Sequence, residues 1–277
     1  MTPTSVHSFF FFATSQFPPF GNSILSKKTK RSEKMPVYCI TGTNRGLGLE
    51  FVRQLAASPS NTILAAVRSL SSSDLGDLRA VASPTTHILE CDTSSLESIH
   101  SFAKAAAHVL TPAGNLKIDY LINNAAINPA SWQSSLTLNP DDMHAQIATN
   151  VLGPAKTVEF LLGFDLLSEN VRILNMTSGL GSMKVSGDIA PRKSAGYSIS
   201  KAALNMLAVH QAEDLKAKLP GVVVIVMDPG WVKTRMGGEG AVMEPQESIG
   251  GMLKVLEGLK SEDNGKFFHS SGDNIPW

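Results

Sequence analysis

An apolar run from Val37 to Ile40 passes directly into Thr41-Gly42-Thr43-Asn44-Arg45-Gly46-Leu47-Gly48, and a helical pattern leaves that segment. A strand, a glycine-rich turn and a helix in immediate succession leave few folds open. Gly42 lets the chain turn sharply off the strand, Gly46 lets backbone approach a pyrophosphate, and Gly48 lets the helix pack close to the sheet. The helix then aims its unpaired N–H groups and positive dipole end at the phosphates. Glycine-rich loops also occur as ordinary tight turns, so the rest of the chain has to decide.

After Met35 one unit repeats: a short apolar run rich in branched residues, then a longer stretch of helical periodicity. Strands are expected at Val37 to Thr41, Thr62 to Val67, His87 to Glu90, Ile118 to Ile122, Val171 to Met176 and Val222 to Met227, with a short one at Lys266 to His269. Helices are expected at Leu47 to Ala57, Leu75 to Ala82, Leu96 to Leu110, Met143 to Leu162, Tyr197 to Ala217 and Ser248 to Leu256. Near-continuous apolar strands such as Val222 to Val226 imply burial on both faces, which a parallel sheet covered by helices provides. The expected fold is α/β, a doubly wound parallel sheet of Rossmann type in a single domain over residues 35–277. In such sheets ligands sit beyond the carboxyl ends of the strands.

The 277 residues, 43% of them hydrophobic, can bury a sizeable core. Lysine plus arginine balance aspartate plus glutamate at 24 each, so nothing global attracts nucleic acid or an anionic membrane. Small molecules are the expected partners. The two cysteines, Cys39 and Cys91, lie outside any metal-ligand or redox spacing, and the seven histidines are scattered, so no metal site is expected. Residues 1–34 read as a disordered extension: Phe9 to Phe12, several serines and a basic cluster at Lys27, Lys28, Lys30 and Arg31, with no acid before Glu33. Neither a transit peptide nor a secretory signal fits them, and Met35 looks like a natural start. No segment approaches the ~20 apolar residues of a membrane span, so a soluble, cytoplasmic protein is expected.

The residues just beyond each strand carry the chemistry. Arg68 follows the second strand, where an acid would usually bind a ribose 2′-hydroxyl; an arginine suits a 2′-phosphate, with Arg45 beside it, which favours NADP over NAD. A solvated surface charge is the competing reading for either. Asp92 follows the third strand, placed to accept from an adenine amino group or to cap the next helix with Ser94 and Ser95. Asn123-Asn124-Ala125-Ala126 ends the fourth, either a close cofactor approach or a simple turn.

The fifth strand runs into Thr177-Ser178-Gly179, and Tyr197 and Lys201 follow one helical turn apart on one face. A phenol beside an ammonium is expected to titrate below its usual value near 10, and then to pass a proton near neutrality. Ser178 is either a hydrogen-bond donor to a substrate oxygen or an ordinary loop hydroxyl. Asp228-Pro229-Gly230-Trp231-Val232-Lys233-Thr234 ends the sixth strand and turns at the site mouth, freeing backbone groups and the Thr234 hydroxyl to meet a carboxamide. Trp132 and Trp231 are candidates for the pocket wall or for plain packing.

In combination these residues resemble the short-chain dehydrogenase/reductase family from Val37 to Trp277. The match rests on Thr-Gly-x-x-x-Gly-x-Gly at 41–48, Asn-Asn-Ala at 123–125, Asn150 in Thr-Asn-Val, Ser178, Tyr197-x-x-x-Lys201 and Pro229-Gly230, all in the family's order. The resemblance implies Tyr197 as general acid or base, Lys201 lowering its pKa and binding the nicotinamide ribose, Ser178 holding the carbonyl oxygen, and Asn150 anchoring a relay water. It also implies phosphate contacts from Gly42, Asn44, Arg45, Gly46, Leu47 and Arg68. Asp92 would meet adenine, Asn123 the adenosine ribose region, and Val232 and Thr234 the nicotinamide amide.

Within the family, the segments at 41–48, 175–182 and 229–234 resemble the sniffer and C-factor branch of carbonyl reductases, and the closing Ile-Pro-Trp is similar to fungal members. Ala126 stands where the family often has glycine. The gap from Ser178 to Tyr197 exceeds the family's usual thirteen residues, so an insertion from Met183 to Lys193 is expected over the substrate pocket. The implied activity is NADPH-dependent reduction of a ketone or aldehyde, reversible with NADP+. A non-catalytic dinucleotide-binding redox sensor is the alternative, and an epimerase or dehydratase fits the glycine spacing less well. Homodimerisation through the helices at 143–162 and 197–217 is a further implication of the resemblance.

Overall fold

The sheet reverses its strand order at one place, and that place decides where a ligand can sit. In this computed structural model, which describes residues 35–189 and 194–277, the strands are β1 (Val37–Thr41), β2 (Thr62–Val67), β3 (Thr86–Glu90), β4 (Ile118–Asn123), β5 (Leu167–Met176), β6 (Val223–Asp228) and β7 (Phe267–His269). They form one sheet in the order β3-β2-β1-β4-β5-β6-β7, every neighbouring pair parallel. The chain winds outward from β1 to β3, returns to β4 on the other side of β1, and winds outward again. In sheets of this kind a ligand sits beyond the carboxyl ends of the strands at this reversal, here between β1 and β4. The extension expected over 1–34 lies outside the described residues, as do 190–193 of the expected insertion.

Alternation along the strands builds two cores. Val37, Cys39, Leu64, Ala66, Leu121, Ile173, Val224 and Val226 face one way and meet α3 (Leu96–Leu110), α5 (Gly153–Gly163) and α7 (Ala195–Asp214). Tyr38, Ile40, Ile63, Ala65, Ile122, Leu174, Val223 and Ile225 face the other and meet α1 (Gly46–Ala56), α2 (Gly76–Val81) and α8 (Pro245–Gly258). With both faces covered, period-2 alternation has no polar side, which explains the continuous apolar strands. Tyr38 and Tyr120 stack across β1 and β4 at 4.6 Å between centroids, so two of the three tyrosines belong to the sheet.

Two expected elements change in a way that bears on the site. The helix expected at Met143 to Leu162 is three pieces: α4 (Pro140–Ile147), a π-helical turn at Ala148–Leu152 and α5. Apolar periodicity cannot reveal a single wide turn, because it inserts one residue without changing the buried face for long. The expected insertion contains a short helix, α6 (Met183–Gly187), capped by the Ser182 hydroxyl on the Val185 N–H at 3.0 Å.

Gly48 sits where α1 presses on the switch point: a Cβ there would stand 2.1 Å from the Gly42 oxygen and 2.7 Å from Asn124 Nδ2. Gly48→Ala is expected to destabilise the fold by about 1–3 kcal/mol through overpacking, read as a lower urea midpoint. Gly76→Ala, where a Cβ meets nothing within 4 Å, is the control and is expected to be neutral or slightly stabilising.

Candidate active site

The switch point is held shut by one side chain. Asn124 Nδ2 donates to the Thr41 and Gly42 oxygens at 2.8 and 3.1 Å, while the Thr41 hydroxyl accepts the Asn124 and Ala125 N–H groups. Gly42 turns at φ +71° and Gly46 at φ +57°, so the strand-to-helix turn takes the shape that only glycine adopts without strain. A Cβ at Gly46 would find only Thr234, at 3.8 Å, so the exposed first turn of α1 looks across a cleft at the loop after β6. Asn44 and Leu47 flank that turn half-buried, and Val232 is buried behind Thr234.

Arginines gather at one end of the cleft. Arg45 and Arg68 are exposed, and partial burial together with the charges of Arg235 and Arg68 holds the Arg45 guanidinium below its ordinary value, Asp74 opposing from 3.8 Å. Arg45 thus stands within charge range of both Arg235 and Arg68, with Asp74 as its ion-pair partner. Arg235 was not among the expected residues, although it directly follows Thr234 in the same loop.

Two expected contacts are otherwise engaged. Asp92 is half-buried and its Oδ1 accepts both the N–H and the hydroxyl of Ser94, while Ser95 rather than Asp92 caps α3. Asn123 is 2% exposed and donates to Asn175 Oδ1 at 2.8 Å inside the sheet. Its Oδ1 has no hydrogen-bond partner among the described residues. Trp132 and Trp231 are 74% and 56% exposed; Trp231 donates Nε1–H to the Gly237 oxygen, and neither ring fills the core.

The structure brings Asn150, Ser178, Tyr197 and Lys201 together around α7. Lys201 is buried, donates Nζ–H to the Met176 oxygen at 2.6 Å and lies 5.4 Å from the centre of the Tyr197 ring. Gly181, three residues past Ser178, packs so tightly on Lys201 that a Cβ would stand 2.9 Å from it. Asn205 completes that joint, donating to the Gly181 oxygen and accepting from the Thr177 hydroxyl at 2.6 Å. Asn150 occupies the π-helical turn, fully buried; its amide grips Ile127 through both backbone groups and reaches Ser200 Oγ, which donates to the Tyr197 backbone carbonyl. Ser200 and Asn205 were missed, yet both share the helix face of Tyr197 and Lys201 at three- and four-residue spacing.

The electrostatics run against the expectation for the phenol. Burial, and then the negative charge of Asp228, push Tyr197 above its ordinary value. Burial pulls Lys201 down to about 7. Burial dominates both shifts, because each charge would stand in low dielectric. Of the two groups, the lysine is the one poised near neutrality.

Comparison with known proteins decides the family. The sequence pattern described as short chain dehydrogenase matches residues 36–244. The chain belongs to the short chain dehydrogenase family. It is 31% identical over 258 residues to an uncharacterized oxidoreductase of Schizosaccharomyces pombe, covering 87% of this chain and 98% of that one. NADPH-bound carbonyl reductase from chicken fatty liver superposes with a TM-score of 0.79 at 30% identity, covering 87% of this chain and 98% of that one. Carbonyl reductase Sniffer of Drosophila melanogaster follows at 0.76 and 26%, with 87% and 99% covered.

Lys201 yields a sign that can be checked. Folded, it loses its proton near about 7, whereas an ordinary lysine does so near 10.5. Between those values the unfolded chain binds more protons, so this group makes stability climb with pH across that window. Urea midpoints at its two ends are expected to differ less in Lys201→Met than in the wild type.

Proposed function

We propose that this short chain dehydrogenase is an NADPH-dependent reductase of a ketone or aldehyde, reversible with NADP+ on the corresponding alcohol. The observation that carries the reading is the joint at which Gly181, three residues past Ser178, packs on Lys201 of α7, one helical turn from Tyr197. Binding a dinucleotide requires neither the serine nor the tyrosine, so their assembly speaks for turnover over a redox sensor.

The cleft suits the dinucleotide. Gly42, Asn44, Gly46 and Leu47 would hold the pyrophosphate at the N-terminus of α1, and Arg45 and Arg68, joined by Arg235, would hold the 2′-phosphate. Asp92 would face adenine and Val232 and Thr234 the carboxamide; Asn123 would support the adenosine side through backbone, since its amide is bonded within the sheet. NADPH, when bound, supplies the hydride that reaches the carbonyl carbon.

The chain's own groups do the rest. Ser178 donates to the carbonyl oxygen and fixes it where negative charge develops. Tyr197 Oη gives its proton to that oxygen as the new O–H bond forms. A phenol held high by burial is fully protonated at neutrality, which suits a donor. Lys201, titrating near about 7, is the group from which Tyr197 recovers its proton, and it would also bind the nicotinamide ribose. Asn150 shapes the relay: with its amide committed to Ile127 and Ser200, the widened π turn is what it offers to a water.

Pairing of two copies through α5 and α7 is consistent with the exposed Ile199, Met206 and Val209 on α7. A cytoplasmic site is consistent with two buried free thiols, Cys39 and Cys91. Among the described residues, no helix is long and apolar enough to cross a membrane.

Tyr197→Phe is expected to lower kcat by about 10²- to 10⁴-fold on quinones, diketones or aromatic aldehydes, with NADPH binding retained. Wild-type protein that binds NADPH tightly and turns over none of these would point to the sensor instead. Arg68→Asp is expected to weaken NADPH by roughly tenfold or more while barely changing NADH, the scale of one charge-assisted hydrogen bond; equal losses would refute the phosphate assignment. Fluorescence titration of both cofactors makes the comparison.

A further inference from the structure

We propose that Asp228 is a positioning residue of this site, its carboxylate latching the turn that carries Ser178 to the turn that leads into Val232 and Thr234; this rests on the reductase reading above. Asp228 ends β6 and pairs with His269 of β7. Its Oδ1 accepts the Gly230 N–H at 3.1 Å. The same carboxylate lies against Gly179, where a Cβ would stand 3.0 Å from Oδ2, and the Gly179 N–H is among the groups that favour its charged form. One side chain therefore packs on the residue after Ser178 and hydrogen-bonds the second residue of the Pro229–Gly230 turn.

The two ends of the latch are not equally dependent on it. The Pro229 oxygen also accepts the Ser248 and Ser270 hydroxyls, at 2.7 and 3.2 Å, and Gly230 is crowded by Met243 and by His269 Nε2. The cofactor side is thus anchored without Asp228, and the fixed carboxylate acts on the Ser178 side. A carboxylate can accept both N–H groups, whereas an amide would turn N–H toward one of them. Only an acid of this length serves the two turns at once.

The same charge faces the phenol. Among the described residues, the titratable groups around it are Tyr197 and Lys201 on α7, Asp228 on β6, and His269 on β7 facing Asp228. Burial first, and then Asp228, keep the proton on Tyr197, while burial also raises Asp228 above the ordinary carboxylate value.

Asp228→Asn in the full chain keeps size and the acceptor for Gly230 but faces Gly179 with a donor. It is expected to speed amide exchange over 178–182 several-fold, to lower kcat about tenfold with a diketone, and to leave NADPH affinity within about twofold. The Tyr197 absorbance titration, isolated by difference from Tyr197→Phe, is expected to move to lower pH. Gly179→Ala, which crowds Oδ2 from the other side, is expected to reproduce the exchange and kcat changes and stands in where Asp228→Asn does not fold. Unchanged exchange and phenol titration overturn the latch, as does faster exchange with unaltered kcat in an active enzyme. Absence of turnover in the wild type would sink the reductase reading alone, since exchange and phenol titration judge the latch without it.

Discussion

The amide of Asn124, bridging the Thr41 and Gly42 oxygens, is the contact on which this architecture turns. It ties the carboxyl ends of β1 and β4 together at the reversal of strand order. Both carbonyls would otherwise lie at a buried strand end with no ladder to enter, where each lost hydrogen bond is costly. Gly48 then brings α1 against the Gly42 oxygen at a distance no side chain tolerates. The N-terminus of α1 and the mouth of the sheet are therefore packed as one unit.

A second unit is built on α7, whose buried polar face, Ser200, Lys201, Asn205 and Gln211, is unusual for a helix packed on a sheet. Each member has a partner: the Met176 oxygen for Lys201, Gly181 and Thr177 for Asn205, Asn150 for Ser200 and Asn175 for Gln211. A polar network so fully paired fixes one register of helix on sheet, where an apolar face would allow several. The cost is a lysine stripped of water, which lowers its proton affinity to a titration at about 7.

Much of this was legible in the chain. All seven strands fall where branched apolar runs predict them, with shifts of one residue except at β5, which starts four residues earlier at Leu167. That extension carries Ser168, Glu169 and Asn170, polar residues that give no strand signal. The Tyr197–Lys201 spacing gives a shared helix face directly, and the glycine turn gives the phosphate end. Asn123 and Asp92 read as cofactor contacts, but cross-strand and Asx bonds engage them first. Those competing partners lie in one case 52 residues away and in the other two, and spacing does not say which wins.

What the sequence determined is the alternation of strand and helix, the glycine turn and the one-turn pairing of phenol and amine, because each is a local pattern written within a few residues. The tertiary structure decided the electrostatics and the assembly: that Tyr197 is held protonated and Lys201 near neutrality, that Arg235 joins Arg45 and Arg68, and that Asp228 reaches the turn beside Ser178. These depend on desolvation and on distances between segments far apart in the chain. Burial sets the dielectric and packing sets the distances, and neither exists until the sheet and its helices have closed around the residues concerned.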